Sequence, residues 1–170
     1  MFQYLDSSLF LLLKTELKSA LPTVPDVYFM TPDASFPGSL SLPAINLFLF
    51  SIQENRDLRA TDRLAQRLAT GQLASPPAPV RIDCHYLVTA YAATPEGQPS
   101  SPLDEHWILG ETMRVLMRYP ELPPQYLTGP LSLEGLPVRA DTALPPTRET
   151  STDLWHALGQ RPREIGRAHV

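Results

Sequence analysis

The chain has 170 residues, 43% apolar and 19% charged, with a net charge of −4. That length and composition support one hydrophobic core, which excludes a disordered charged segment and removes the need for a metal or disulfide staple. With 14 Lys and Arg against 18 Asp and Glu the balance argues against a nucleic-acid partner, and 19 prolines exclude a helical bundle or coiled coil.

Leu5, Leu9, Leu13 and Leu17, with Phe2 and Leu12 beside them, make one face of an amphipathic helix ending near Ala20, ahead of Pro22. Val27–Met30 reads as a short strand, followed by a turn-rich stretch around Pro32, Asp33, Pro37 and Gly38. Ala44–Glu54 is a stronger strand, with Ile45, Leu47 and Leu49 on one face and Phe48, Phe50 and Ile52 on the other. Apolar residues on both faces place it near the middle of a sheet, covered on both sides. Asn46 interrupts the second face. Arg56–Thr70 is expected to be a short helix weakly anchored by Leu58, Leu64 and Leu68, and Gly71–Pro79 a loop, so that the whole segment forms an excursion from the core.

Val80–Ala92 alternates cleanly. Val80, Ile82, Cys84, Tyr86, Val88 and Ala90 share one face; Arg81, Asp83, His85 and Thr89 share the other, which Leu87 and Tyr91 make partly apolar. This strand is expected beside Ala44–Glu54. Ser101, Pro102 and Asp104 then open a helix with an N-cap, a first-turn proline and early acidic residues. Arg114 and Arg118 complement its dipole, Ile108, Leu109, Thr112, Met113, Val115 and Leu116 face inward, and Pro120 stops it. Two short strands are expected at Leu131–Leu133 and Val138–Ala140, and a last helix from Thr150 through Leu154, Trp155 and Leu158 to Gly159. The fold class is α/β (α+β): a single domain with a mixed, mainly antiparallel sheet flanked by about three helices.

No Walker A, G-x-G-x-x-G, H-E-x-x-H, paired C-x-x-C or G-x-S-x-G sequence is present. Asp83 and His85 lie two apart on one strand face, a spacing that suits a base and its orienting carboxylate, but Cys84 points to the opposite face and no nucleophile accompanies them. They read as a strand-surface pair. Asp104, Glu105 and His106 diverge by about 100° per residue on a helix and cannot converge on one ion. Trp107 and Trp155 are core or interface anchors. Cys84 is the only cysteine, which leaves no intramolecular disulfide. The N-terminus has no basic region of a signal peptide, and its longest apolar run, Leu9–Leu13, falls far short of the ~20 residues needed to span a bilayer. A protein made and assembled in the cytoplasm, with no membrane partner and no cofactor, is expected. Arg56, Arg59, Arg63 and Arg67, interleaved with Asp57 and Asp62, form a solvated face or, less often, a protein-docking patch.

Several stretches in order carry a resemblance: Pro43-Ala44-Ile45-Asn46-Leu47-Phe48-Leu49-Phe50 leading into Gln53-Glu54-Asn55; Asp83-Cys84-His85-Tyr86-Leu87-Val88-Thr89-Ala90-Tyr91; Glu105-His106-Trp107-Ile108-Leu109-Gly110; and Leu154-Trp155-His156-Ala157-Leu158-Gly159. Together they resemble the N-terminal domain of cap, or tail-terminator, proteins of extracellular contractile injection systems of the antifeeding-prophage and virulence-cassette type. The resemblance spans roughly residues 4–160. It implies a phage tail-terminator-like fold and a structural, non-enzymatic subunit. Such a subunit is expected to assemble with itself as a six-fold ring and to end growth of the tube and sheath, leaving the cell as part of an extracellular particle. Gln53, Glu54, Arg56, Arg59 and Arg63 are the expected interface residues, because the polar excursion Gln53–Arg67 carries arginines without a core-facing pattern. The alternative is a cytoplasmic adaptor that recruits a protein partner without forming a ring; a small hydrolase built on Asp83 and His85 is a remote third. Residues 1–163 are expected to be the domain, truncated at its C-terminus, and Glu164–Val170 to be the translation of a sequencing-adapter oligonucleotide.

Overall fold

A computed structural model describes residues 1–32, 38, 40–58, 66–67, 73–74, 80–93, 101–133, 135–143, 158 and 166–170. Helix α1 (Phe2–Glu16) runs into a 3-10 turn at Leu17–Ser19. Strands β1 (Asp26–Tyr28) and β2 (Ala44–Glu54) follow, then β3 (Gln66–Arg67), β4 (Leu73–Ala74) and β5 (Ile82–Tyr91). Helix α2 (Pro102–Arg118), 3-10 turns at Pro124–Tyr126 and Gly129–Ser132, and strands β6 (Asp141–Thr142) and β7 (Gly166–His169) complete the order. The main sheet has the order β1-β2-β5-β7-β6 and is antiparallel except between β1 and β2. The expected mixed, mainly antiparallel sheet beside helices is what forms.

The leucine stripe dictates how α1 docks. Leu9, Leu12, Leu13 and Leu17 are fully buried against Ile45, Leu47, Tyr86 and Val88 of the sheet and Val115 and Leu116 of α2. Burying each such side chain contributes about 1.5–3 kcal/mol, which makes this layer the main source of stability. On α2, Ile108, Thr112, Val115 and Leu116 are buried as the helical spacing requires, with Leu109 and Met113 partly so. Ser101 stands at its N-cap, where its carbonyl, not its hydroxyl, accepts from the Asp104 and Glu105 N–H groups. The opposite sheet face is also covered, since Asn46, Leu87, Thr89 and Tyr91 are all buried.

Four expectations change. The pairing of β2 with β5 slips at Phe50: Leu49 opposes Tyr86, and Ser51 opposes His85. The extra residue is a bulge, which flips the alternation beyond it. Ile52 therefore opposes Cys84 on the helix-covered face rather than sharing the face of Phe48. Second, Leu131–Leu133 is not a strand; Gly129, at φ +55, and Pro130 open a 3-10 turn instead, leaving Leu133 85% exposed. Third, Gln66–Arg67 belongs to a strand, not a helix, and pairs with Leu73–Ala74 inside the expected loop, in a small sheet separate from the main one. That separate pair fits the reading of this segment as an excursion. Near Val138–Ala140 the extended chain makes a single bridge between Arg139 and Glu121, and the strand begins only at Asp141. The helix expected after Thr150 lies outside the described residues, except Leu158, which is in a turn.

Candidate assembly surface

Strand β2 outruns the core. Its side chains pass from buried at Ala44–Leu47 to exposed at Ile52, Gln53 and Glu54. The protruding end is braced by Asn55: its backbone N–H donates to the Arg81 carbonyl at 2.9 Å, its Nδ2 donates to Asp83 Oδ1 at 3.0 Å, and its Oδ1 accepts from the Leu58 N–H at 2.9 Å. The last of these is an asparagine turn, a local alternative to continuing the strand. It presents Arg56 and Asp57 to solvent.

Gln53, Glu54 and Arg56 are thus brought together at one end of the sheet, all exposed, around a shallow depression completed by Asn55, Asp57, Asp83 and His169. Gln53 Nε2 donates to Ser51 Oγ at 3.1 Å. Arg59 and Arg63 lie outside the described residues.

Beside this depression is a groove of about 330 Å³ that sequence reasoning missed. Its apolar lining includes Met1, Phe2 and Leu5 of the α1 start, Val80 ahead of β5, and Leu136 and Val138 ahead of β6. Arg81, Arg139, Asp83 and Asp141 supply charged groups around it. Apolar side chains and charges of both signs thus share one concave surface, a mixture that suits protein docking. The available signal was Leu136, an apolar residue beside a proline that no periodicity absorbed; Val80, expected on the core face of its strand, lies ahead of β5 instead and is 63% exposed. Trp107 is 49% exposed on the outer face of α2 with Leu103 and Met117, so it is not a core anchor; Trp155 lies outside the described residues.

Asp83 and His85 each contact His169, while Cys84 faces the other way. The Asp83 carboxylate accepts from Asn55 and sits 3.2 Å from His169 Nε2. His85 stacks on His169 with ring centroids 4.5 Å apart and lies against Phe50. Burial, and then His169, push the His85 pKa below its ordinary value, while Asp83 opposes them. Cys84 faces the core, and burial, with Asp6 and Asp83 adding to it, pushes its thiol up to about 11. A nucleophilic thiol needs the opposite shift. Among the described residues no group of three or more His, Cys, Asp or Glu side chains could hold a metal.

A family model described as the Pvc16 N-terminal domain matches residues 5–164. The chain belongs to this family. No curated protein matches it in sequence. Two solved structures share the fold of this Pvc16 N-terminal domain. One is the sheath/tube terminator of the PVC extracellular contractile injection system in its extended state, determined by cryo-EM, with TM-score 0.67, 19% identity, and coverage of 100% of this chain and 54% of that one. The other is the tube-terminating cap of the anti-feeding prophage, also determined by cryo-EM, with TM-score 0.57, 21% identity, and coverage of 98% and 52%. The chain therefore spans about half the length of the structures it resembles. The family and the terminator-like fold expected from the sequence are both found. No helix among the described residues is long and apolar enough to cross a membrane.

Proposed function

We propose that this Pvc16 N-terminal domain is a structural cap, or tail-terminator, subunit that ends tube and sheath assembly in a phage-tail-like contractile injection system. The observation that carries this reading is that the whole chain follows the fold of a sheath/tube terminator and nearly all of it that of a tube-terminating cap. The work is done by surfaces rather than by a reaction. Copies of the chain join head to tail into a closed ring, six-fold by the family resemblance, and one face of the ring meets the last tube and sheath subunits. Assembly takes place in the cytoplasm, and the subunit leaves as part of the extracellular particle.

Gln53, Glu54, Arg56, Arg59 and Arg63 form part of the contact surface. Support comes from the exposure of Gln53, Glu54 and Arg56 at the protruding end of β2, next to the apolar groove. Reversing charge at Arg56→Glu and Arg59→Glu is expected to leave the monomer folded by circular dichroism and to give uncapped or overlong particles in negative-stain microscopy. Particles of normal, controlled length from the double variant would overturn the placement of the surface. Normal particles from cells lacking the protein altogether would overturn the terminator function itself.

We also propose that residues 1–163 are the domain and that Glu164–Val170 derive from a sequencing adapter. The family match, residues 5–164, leaves residues 165–170 outside it, while the fold match to the sheath/tube terminator covers the whole chain. Finding the same codons in adapter-free sequence of the locus would refute it.

A further inference from the structure

Helix α2 has a second apolar face. Ile108, Thr112, Val115 and Leu116 are buried on one side, and Leu103, Trp107, Gly110, Arg114 and Met117 are exposed on the other. These five recur at alternating steps of four and three residues, the spacing of a seam that meets another helix. The outward face of a helix packed on a core is ordinarily polar, whereas here Leu103 is 78% and Met117 53% exposed. At the centre of the stripe stands Gly110, a residue that weakens a helix interior. Among the described residues a Cβ added there would meet nothing within 4 Å, so packing inside the domain does not require the glycine. Its small size leaves a notch in the outer surface, where a second helix can approach closely. Asp104, Glu111 and Arg118, seven residues apart, line one flank of the stripe, acidic at its start and basic at its end.

We infer that the outer face of α2 pairs with the same face of a second copy of this chain, antiparallel, about a two-fold axis at Gly110. Charge complementarity selects both the occupant and the direction. Turning the helix end for end brings each Asp104 to the Arg118 of the other copy, which makes two ion pairs; a parallel pair would set like charges side by side. Glu111 lies near the axis, and Arg114 of its own helix already neutralises it. The stripe is also nearly symmetric about Gly110. Leu103, seven residues before it, meets Met117, seven residues after it, and Trp107 meets the guanidinium of Arg114, a favoured cation–aromatic contact. A uniformly acidic or basic partner would leave half of these charges unanswered. Leu103 to Met117 covers about 21 Å of helix. One helix pair of that length buries less than the ~800 Å² per partner of a standard interface, so the dimer is weak and reversible, in the micromolar range. The contact is self-complementary and stops at two copies, unlike the head-to-tail contact that closes a ring. It does not rest on the terminator reading, and its test involves no particle, so its failure leaves that reading untouched.

Cysteine cross-linking of the full chain reads the pairing directly, since Cys84, the only native cysteine, is buried. Mild oxidation of Gly110→Cys should give a disulfide-linked dimer, because the axis passes beside that position. Leu103→Cys and Met117→Cys should each stay unlinked when oxidised alone and should link to one another when mixed. Sedimentation velocity of the wild-type chain should show monomer and dimer in exchange. Gly110→Glu, which sets like charges on the axis, should weaken the dimer at least about tenfold while the melting temperature stays unchanged. Asp104→Arg should weaken it too, and adding Arg118→Asp should restore it. Positions 104 and 118 lie about 21 Å apart along one helix, so they meet only between copies. A wild-type chain still monomeric at about 500 µM overturns the proposal. Self-linking of Leu103→Cys overturns the antiparallel pairing. An oligomer that forms without a Gly110→Cys link, or that Gly110→Glu leaves intact, assigns self-association to another face and overturns it as well.

Discussion

Asn46→Leu isolates what fixes the edge of the sheet. Asn46 is fully buried on β2, yet its side chain serves the chain beyond β1: its Nδ2 donates to the Met30 carbonyl at 3.0 Å, and its Oδ1 accepts from the Met30 N–H at 2.9 Å. The amide thus imitates a strand residue and extends the parallel pairing of β1 past its last ladder position, Tyr28 opposite Asn46. Leucine has similar volume and can make neither bond. Two lost hydrogen bonds contribute about 1 kcal/mol each, and leaving partners unsatisfied adds to this. Met30 is 43% exposed, so water re-satisfies part of its backbone and holds the total to about 2–3 kcal/mol. For a chain of this size that is a fall in Tm of about 5–10 °C. Asn46→Asp should cost more, because it keeps the acceptor but loses the donor and brings a charge into a fully buried position. Urea unfolding gives the energies, and hydrogen exchange at the Met30 amide shows whether the edge has opened. A loss below about 0.5 kcal/mol for Asn46→Leu, with Met30 still protected, would refute the account.

Two further tests address how the flanking turns are tied to α1. Gly129→Ala is expected to cost about 2–4 kcal/mol in urea unfolding, because it combines a left-handed backbone with a Cβ 2.4 Å from Tyr4 Cδ1; a change within 0.5 kcal/mol would show that the turn moves freely. Glu16 supplies a pH test. The Tyr126 hydroxyl, donating at 2.7 Å, holds its carboxyl below the ordinary 4.5 against the upward push of burial, and Tyr119 and Arg118 add to the lowering. A lowered folded-state value means the contribution is complete above the ordinary pKa and disappears as pH falls through the folded one. Glu16→Gln should therefore flatten the acid limb of the stability curve below about pH 4.5, and an unchanged limb would refute the assignment.

Much of the fold was legible because it rests on local periodicity. The four-residue leucine spacing gave α1 its buried face, and the Ser101-Pro102 start and Pro120 stop framed α2 closely. The alternation from Ile82 to Ala90 separated a core face from a second one that Leu87, Thr89 and Tyr91 also bury. Gln53, Glu54 and Arg56 stood out as charged or polar residues following a buried strand, and they do share one exposed end of the sheet.

What failed was non-local. A bulge is decided by pairing with a partner strand, so the reversal of Ile52 could not be read from the alternation of β2 alone. The groove joins Met1, Val80 and Leu136, far apart along the chain, and only packing of the α1 start against the entrances to β5 and β6 makes them one surface. Asn46 looked like an interruption of an apolar face until Met30 was found at its amide. By itself, then, the sequence determined the family, the helices and central strands, and the polar end of β2, because those follow from short-range spacing and from matched stretches. Tertiary structure alone decided the register, the groove and the pairing of β7 with β5, because each depends on which distant backbone or side chain satisfies a buried group.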